Sequence, residues 1–141
     1  MCLAFEYHGN TLTDTDEAAL RLLHAVNHPA VTTYWQARGH ASLDENRASL
    51  EGVLPWLSHV HIQSWAQESP DPGNRRAPLA SMTDTWTDWL TMAAGASTRE
   101  ACGPQRFAMI EFVKDDDPAQ FLVDAAVLRR MGESANKRIS E

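Results

Sequence analysis

The chain has 141 residues, 43% of them apolar and 22% charged, with a formal net charge of −7 and a pI near 5.3. That length and composition suit one globular domain with a sizeable core and argue against disorder. The acidic balance disfavours a nucleic-acid partner, because phosphate binding draws on clustered Lys and Arg, and here the notable adjacent basic pairs are Arg75-Arg76 and Arg129-Arg130.

No run approaches the roughly 18 apolar residues of a membrane span, and the N-terminus has neither the basic nor the apolar region of a secretory leader. A cytoplasmic protein without membrane association is the expectation. Cys2 and Cys102 form no Cys-x-x-Cys pair, so two reduced thiols are expected.

The spacing predicts a first strand from Cys2 to His8, with Cys2, Ala4, Glu6 and His8 on one face and Leu3, Phe5 and Tyr7 on the other. Asp14 and Glu17 have the form of a capping box, opening a helix to Val26 with Ala19, Leu20, Leu23 and Val26 on one stripe. Asn27-His28-Pro29 ends it. Val31 to Gln36, β-branched and aromatic, predicts the second strand. Ser42 and Glu45 form a second capping box, and the helix they open turns Leu43, Leu50, Val53 and Leu54 to a core until Pro55 interrupts it.

The third strand is expected over Leu57 to Ser64, with His59, His61 and Gln63 facing one way and Val60 and Ile62 the other. Between Trp65 and Met82 lies a Pro/Gly/Asn-rich stretch with no helical or strand period, a natural place for a functional loop. Thr83 or Asp84 then caps a third helix whose Trp86, Trp89, Leu90 and Ala93 read as a packing face. The fourth strand, Arg106 to Val113, is largely apolar on both faces, as for a parallel strand covered on both sides. Asp115-Asp116-Asp117-Pro118 opens the last helix. Phe121, Leu122, Ala125 and Leu128 are its expected buried stripe, Gly132 its stop, and 133–141 a polar tail beyond a domain of residues 1–132.

The order is β-α-β-α-β-α-β-α, and connections of this length require parallel strands. No Gly-rich phosphate loop follows any strand, which weakens the alternative of a small open α/β sheet with a nucleotide crevice. Near the four strand ends stand Glu6, Gln36, His61 and Glu111, one per strand. Each alone is explained by a helix cap, a surface charge or a core histidine. Recurrence at matching positions favours one shared site, as at the C-terminal mouth of a βα barrel. Two carboxylates, an imidazole and an amide oxygen suit Mn²⁺, Mg²⁺ or Co²⁺.

The segments Phe5-Glu6-Tyr7-His8, Ser58-His59-Val60-His61 and Ala108-Met109-Ile110-Glu111-Phe112, in this order and separated by helices, resemble the second half of the xylose isomerase-like TIM barrels. The resemblance covers nearly the whole chain and implies four successive βα units of a (β/α)8 barrel. It further implies a sugar or sugar phosphate isomerase or epimerase, with Glu6 and Glu111 as metal-binding acid/base groups and His61 as a ligand. Gln36 stands where such enzymes usually place an aspartate. His8, His59, Arg75 and Arg76 are the expected substrate-binding residues.

The endonuclease branch of the same superfamily calls for more zinc ligands and a basic face than this chain supplies. A full barrel takes about 250 residues. A homodimer, a complementing N-terminal half-barrel chain, or a truncated non-catalytic remnant with weak or no metal binding would account for the difference. Met1-Cys2 leading straight into the first strand favours truncation or an internal start.

Overall fold

The computed structural model describes residues 1–66 and 76–141. Strands β1 (Leu3–Phe5), β2 (Val31–Gln36), β3 (Leu57–Ile62) and β4 (Ala108–Ile110) alternate with helices α1 (Asp16–Val26), α2 (Leu43–Val53), α3 (Thr83–Gly95) and α4 (Pro118–Ser140). The strands form one sheet in the order β1-β2-β3-β4, every pair parallel. When each crossover returns to the next strand with the same right-handed sense, all helices fall on one face.

The core agrees with that rule. Ala19 of α1, Leu50 and Val53 of α2, Trp86, Trp89, Leu90 and Ala93 of α3, and Val127, Met131 and Ala135 of α4 join one cluster with Trp35, Val60 and Ile62 of the sheet. Tyr34, Gln36, His59, His61 and Met109 alternate with these sheet residues and stay outside the core. None of the four α-helices joins the core from their face, which near the N-terminal ends of the strands meets the connection between α3 and β4. The expectation that β4 is covered on both sides therefore fails.

The second strand and the second helix form as predicted. Ser42 accepts from the Glu45 N–H at 3.2 Å while the Glu45 carboxylate accepts from the Ser42 N–H at 2.7 Å, and those hydrogen bonds hold the Glu45 carboxyl below its ordinary pKa. Ser42→Ala is expected to cost about 1 kcal/mol in urea unfolding. Leu43, placed in the core by its spacing, is 41% exposed. Pro55 converts the end of α2 into a 3-10 turn, Leu54–Trp56.

Three helix boundaries depart from expectation. The cap of α1 is Thr15, which accepts from the Ala18 N–H, not the Asp14 and Glu17 pair. Asp16 is drawn instead into a polar network, accepting from Arg38 at 2.6 Å and from Ser49 at 2.7 Å. Ser49 also accepts from the Trp35 indole at 3.0 Å and lies 3.2 Å from the Tyr7 hydroxyl, whose pKa burial pushes well up. Helix α3 follows a 3-10 turn, Leu79–Met82, and lacks a side-chain cap, since Thr83 donates its hydroxyl back to Ala80.

Helix α4 is capped by Asp117 as expected but runs through Gly132 to Ser140, so the separate polar tail is not observed. Its buried stripe is Asp124, Val127, Met131 and Ala135, leaving Phe121 46% and Leu122 70% exposed. Asp124 sets that rotation: buried, it accepts from the Leu79 N–H at 3.0 Å and from Gln120 at 2.8 Å.

The expectation of two reduced thiols is also overturned. Cys2 and Cys102 are joined as a disulfide, with Cα atoms 5.3 Å apart. The cause lies in the path between α3 and β4. Arg99 on this connection donates to the carbonyls of Pro55 (3.1 Å) and His28 (2.9 Å), which precede β3 and β2, and sits over the Trp56 ring. The segment thus crosses the N-terminal ends of β3 and β2 and meets the start of β1.

Candidate metal centre

Alternation along three strands places Glu6, His61 and Glu111 on the uncovered face, each at or just past the C-terminal end of its strand. One potential ligand atom from each lies within 4.8 Å of the others. His61 Nδ1 is 3.2 Å from Glu6 Oε1 and 3.6 Å from Glu111 Oε2. These are ion-pair distances, yet His61 Nδ1 and Glu111 Oε2, both buried, make no hydrogen bond. His61 thus stands between the two carboxylates at ion-pair distance from each.

The two His61 separations are compatible with a shared cation. With metal–oxygen bonds of about 2.0–2.6 Å, ligands at right angles stand about 3–3.6 Å apart. In a flat sheet β1 and β4 would lie about 14 Å from each other, three strand spacings away. Convergence of their end residues calls for a sheet curled toward its uncovered face. Burial pushes the Glu111 carboxyl above its ordinary pKa; nearby His61 opposes the shift and Glu6 adds to it.

Gln36 is the register partner of His61 on the neighbouring strand, and its amide oxygen accepts from Gln63 at 3.3 Å. His8 is exposed and its ring bonds the Gly9 carbonyl at 2.7 Å. His59 lies two residues below His61 on the same face. Its Nδ1 accepts from the Phe107 N–H at 3.1 Å, and its ring packs between Tyr34 and Phe107. Burial lowers its pKa, with Arg106 reinforcing the shift. The structure thus occupies His59 with the backbone of the strand beside it. Arg76 pairs with Asp116 and lies over the Phe112 ring at 4.1 Å, next to Glu111 in sequence. Arg75 lies outside the described residues.

Two further residues share a cleft with Gln36. Gln63, 5% exposed, donates to Ala37 as well as Gln36, and its Oε1 has no partner. Trp65 packs flat against Gly39, where a Cβ would meet the indole at 2.8 Å, so only glycine fits there. With His8, Gln36 and His40 these residues line a cleft of about 140 Å³. Alternation past His61 already aimed Gln63 this way; nothing in the sequence singled out Trp65. No protein-family model matches the chain, and no curated protein matches it either.

Proposed function

We propose that the chain is a half barrel of the xylose isomerase-like type whose Glu6, His61 and Glu111 hold a divalent cation, Mn²⁺, Mg²⁺ or Co²⁺, for sugar or sugar phosphate isomerisation or epimerisation. The observation that supports this reading is the gathering of one potential ligand atom from each of Glu6, His61 and Glu111 within 4.8 Å, two of them, His61 Nδ1 and Glu111 Oε2, buried without a hydrogen bond. Gln36 is the fourth candidate ligand. A bound cation supplies polarisation of a carbonyl oxygen. The chain's own part is proton transfer, with one of Glu6 and Glu111 removing the proton beside the carbonyl and the other returning it. The cleft lined by His8, Gln36, Gln63 and Trp65 offers hydrogen-bonding groups and an aromatic wall for a polyhydroxylated substrate.

The half-barrel reading draws on the one-sided helix layer. All-parallel sheets occur almost entirely with both faces covered. Here the outer helices expose apolar side chains, Leu22 and Val26 on α1 and Phe121, Leu122 and Val123 on α4, whereas α3 exposes no large apolar residue. Among the described residues β1 and β4 each pair on one side alone. A second copy or a complementing half-barrel chain would cover these flanks. The protein's place in the cytoplasm belongs to the same proposal; among the described residues no helix is long and apolar enough to cross a membrane.

The non-catalytic alternative draws on Gln36, which brings no charge to the site. Calorimetric titration with Mn²⁺ and NMR of a ketose and a ketose phosphate in D₂O decide between them. One Mn²⁺ per chain is expected, stabilising the fold by about 2.7 kcal/mol at a hundredfold excess over Kd, together with solvent exchange of the substrate α-proton. Absence of stoichiometric Mn²⁺ binding favours the non-catalytic remnant, Mn²⁺ binding without exchange removes the isomerase assignment, and exchange that survives Glu111→Gln removes the assignment of that residue.

A further inference from the structure

The Cys2–Cys102 disulfide ties one edge of the sheet to the connection that leads into the opposite edge strand. Strand β1 is an edge strand of three residues, paired only with β2. Glu6 follows directly from it and shares a face with Cys2 and Ala4. Against Cys2 lies the α3–β4 connection, itself fastened at several points. Arg99 bonds the Pro55 and His28 carbonyls. Arg106 reaches the carbonyls of Leu57 at 2.9 Å and Ala96 at 3.2 Å, and that of Ala93. Between connection and sheet is a cavity of about 360 Å³, bounded by Ala4, Tyr34 and His59 on one side and Arg99 and Gln105 on the other. Cys2 is exposed, so a thiol in solution has access to the bond.

We infer that the Cys2–Cys102 pair is a redox latch that sets the position of β1 and, through it, the affinity of the Glu6–His61–Glu111 centre for a divalent cation. This rests on the metal-binding reading above. With the latch closed, the start of β1 is tethered to a braced segment, and Glu6 is held four residues further on where it meets His61. With the latch open, Leu3 and Ala4 keep their pairing with β2 and the bond from the Thr32 hydroxyl to the Leu3 carbonyl, while Phe5 and Tyr7 on either side of Glu6 stay packed against the core. Edge segments with so few contacts open locally at low cost.

Closure is thiol–disulfide exchange. A small disulfide such as oxidised glutathione accepts two electrons and leaves as two thiols, while Cys2 and Cys102 lose two protons and join through a mixed disulfide. In a reducing cytoplasm a disulfide is characteristically transient or regulatory, which fits a latch better than a permanent staple.

The test titrates Mn²⁺ into the protein poised with oxidised or reduced glutathione, with amide hydrogen exchange recorded on both forms. Reduction is expected to weaken Mn²⁺ binding about tenfold, within the usual range of coupling between two sites. Reciprocally, saturating Mn²⁺ should shift the midpoint of the pair about 30 mV toward more negative potential. Amides of Leu3, Ala4 and Phe5 should exchange faster on reduction while those of α3 and α4 keep their protection, which shows that the chain remains folded. Cys102→Ser should match the reduced protein and ignore the redox poise. Equal Mn²⁺ affinity in both forms overturns the latch and leaves the metal centre standing. No Mn²⁺ binding in either form overturns the centre itself, and the coupling with it.

Discussion

Replacing Trp35 with alanine is expected to lower the unfolding free energy by about 3–5 kcal/mol. Trp35 is fully buried near the C-terminal end of β2, where its ring meets those of Trp86 and Trp89 edge-on at centroid distances of 5.9 and 5.4 Å. Its indole N–H also donates to Ser49, the hub that holds Asp16 and faces Tyr7. Alanine removes the contact by which the sheet meets α3 and leaves a cavity that two rigid neighbouring indoles cannot fill. Single domains are stable by only about 5–15 kcal/mol, so this one change consumes a large part of the margin. Urea unfolding at unchanged m-value is the measurement. Trp35→Phe, which keeps a ring but loses the hydrogen bond, should cost less than the alanine variant. A loss below about 1 kcal/mol for Trp35→Ala would mean that the tryptophan cluster is not the centre of the core.

Elements whose signals are local were legible in the sequence. β2 announced itself by β-branched and aromatic residues and appears with the expected limits, and α2 opens on the capping box that Ser42 and Glu45 spell out. β1 and β4 are shorter than their apolar runs, each pairing with a single neighbour over three residues. On α4, periodicity ranks Phe121 and Leu122 above an aspartate, and of the expected stripe Leu128 packs against the core while those two stay exposed. The buried position goes to Asp124 because the Leu79 N–H needs an acceptor. No local rule reveals that demand. The disulfide was equally hidden, since its cysteines stand 100 residues apart and meet through the course of an irregular connection.

The site was half legible for a related reason. A period of two is enough to put Glu6, His61 and Glu111 on one face of the sheet. Whether residues from the first and fourth strands can touch depends on sheet curvature, which arises from twist and from packing against the helix layer. The register shift between Thr33 and Tyr34, opposite β3, is another feature set by tertiary context. Gln63 and Trp65 gain their meaning only when the cleft beside Gln36 is seen.

His61→Ala is expected to reduce Mn²⁺ affinity by more than about a hundredfold, because even residues that merely support a ligand typically account for ten- to hundredfold. His61 is the central member of the cluster, within 3.2 Å of one glutamate and 3.6 Å of the other. Without it the two carboxylates face a void as neighbouring like charges. Gln36→Glu should act in the opposite direction. It keeps the size of the side chain and its contact with Gln63, but adds a negative charge beside His61, and the ligand charge count is a principal determinant of affinity for hard cations. Without metal that charge adds to the repulsion between Glu6 and Glu111, so the variant should unfold at lower temperature than the parent when chelator is present. With saturating Mn²⁺ the order should reverse, with affinity improved about tenfold. Calorimetry and thermal unfolding with and without Mn²⁺ measure both effects. A Gln36→Glu protein that is destabilised to the same extent in both conditions would show that the charge does not reach the metal, and Gln36 would lose its place as the fourth ligand.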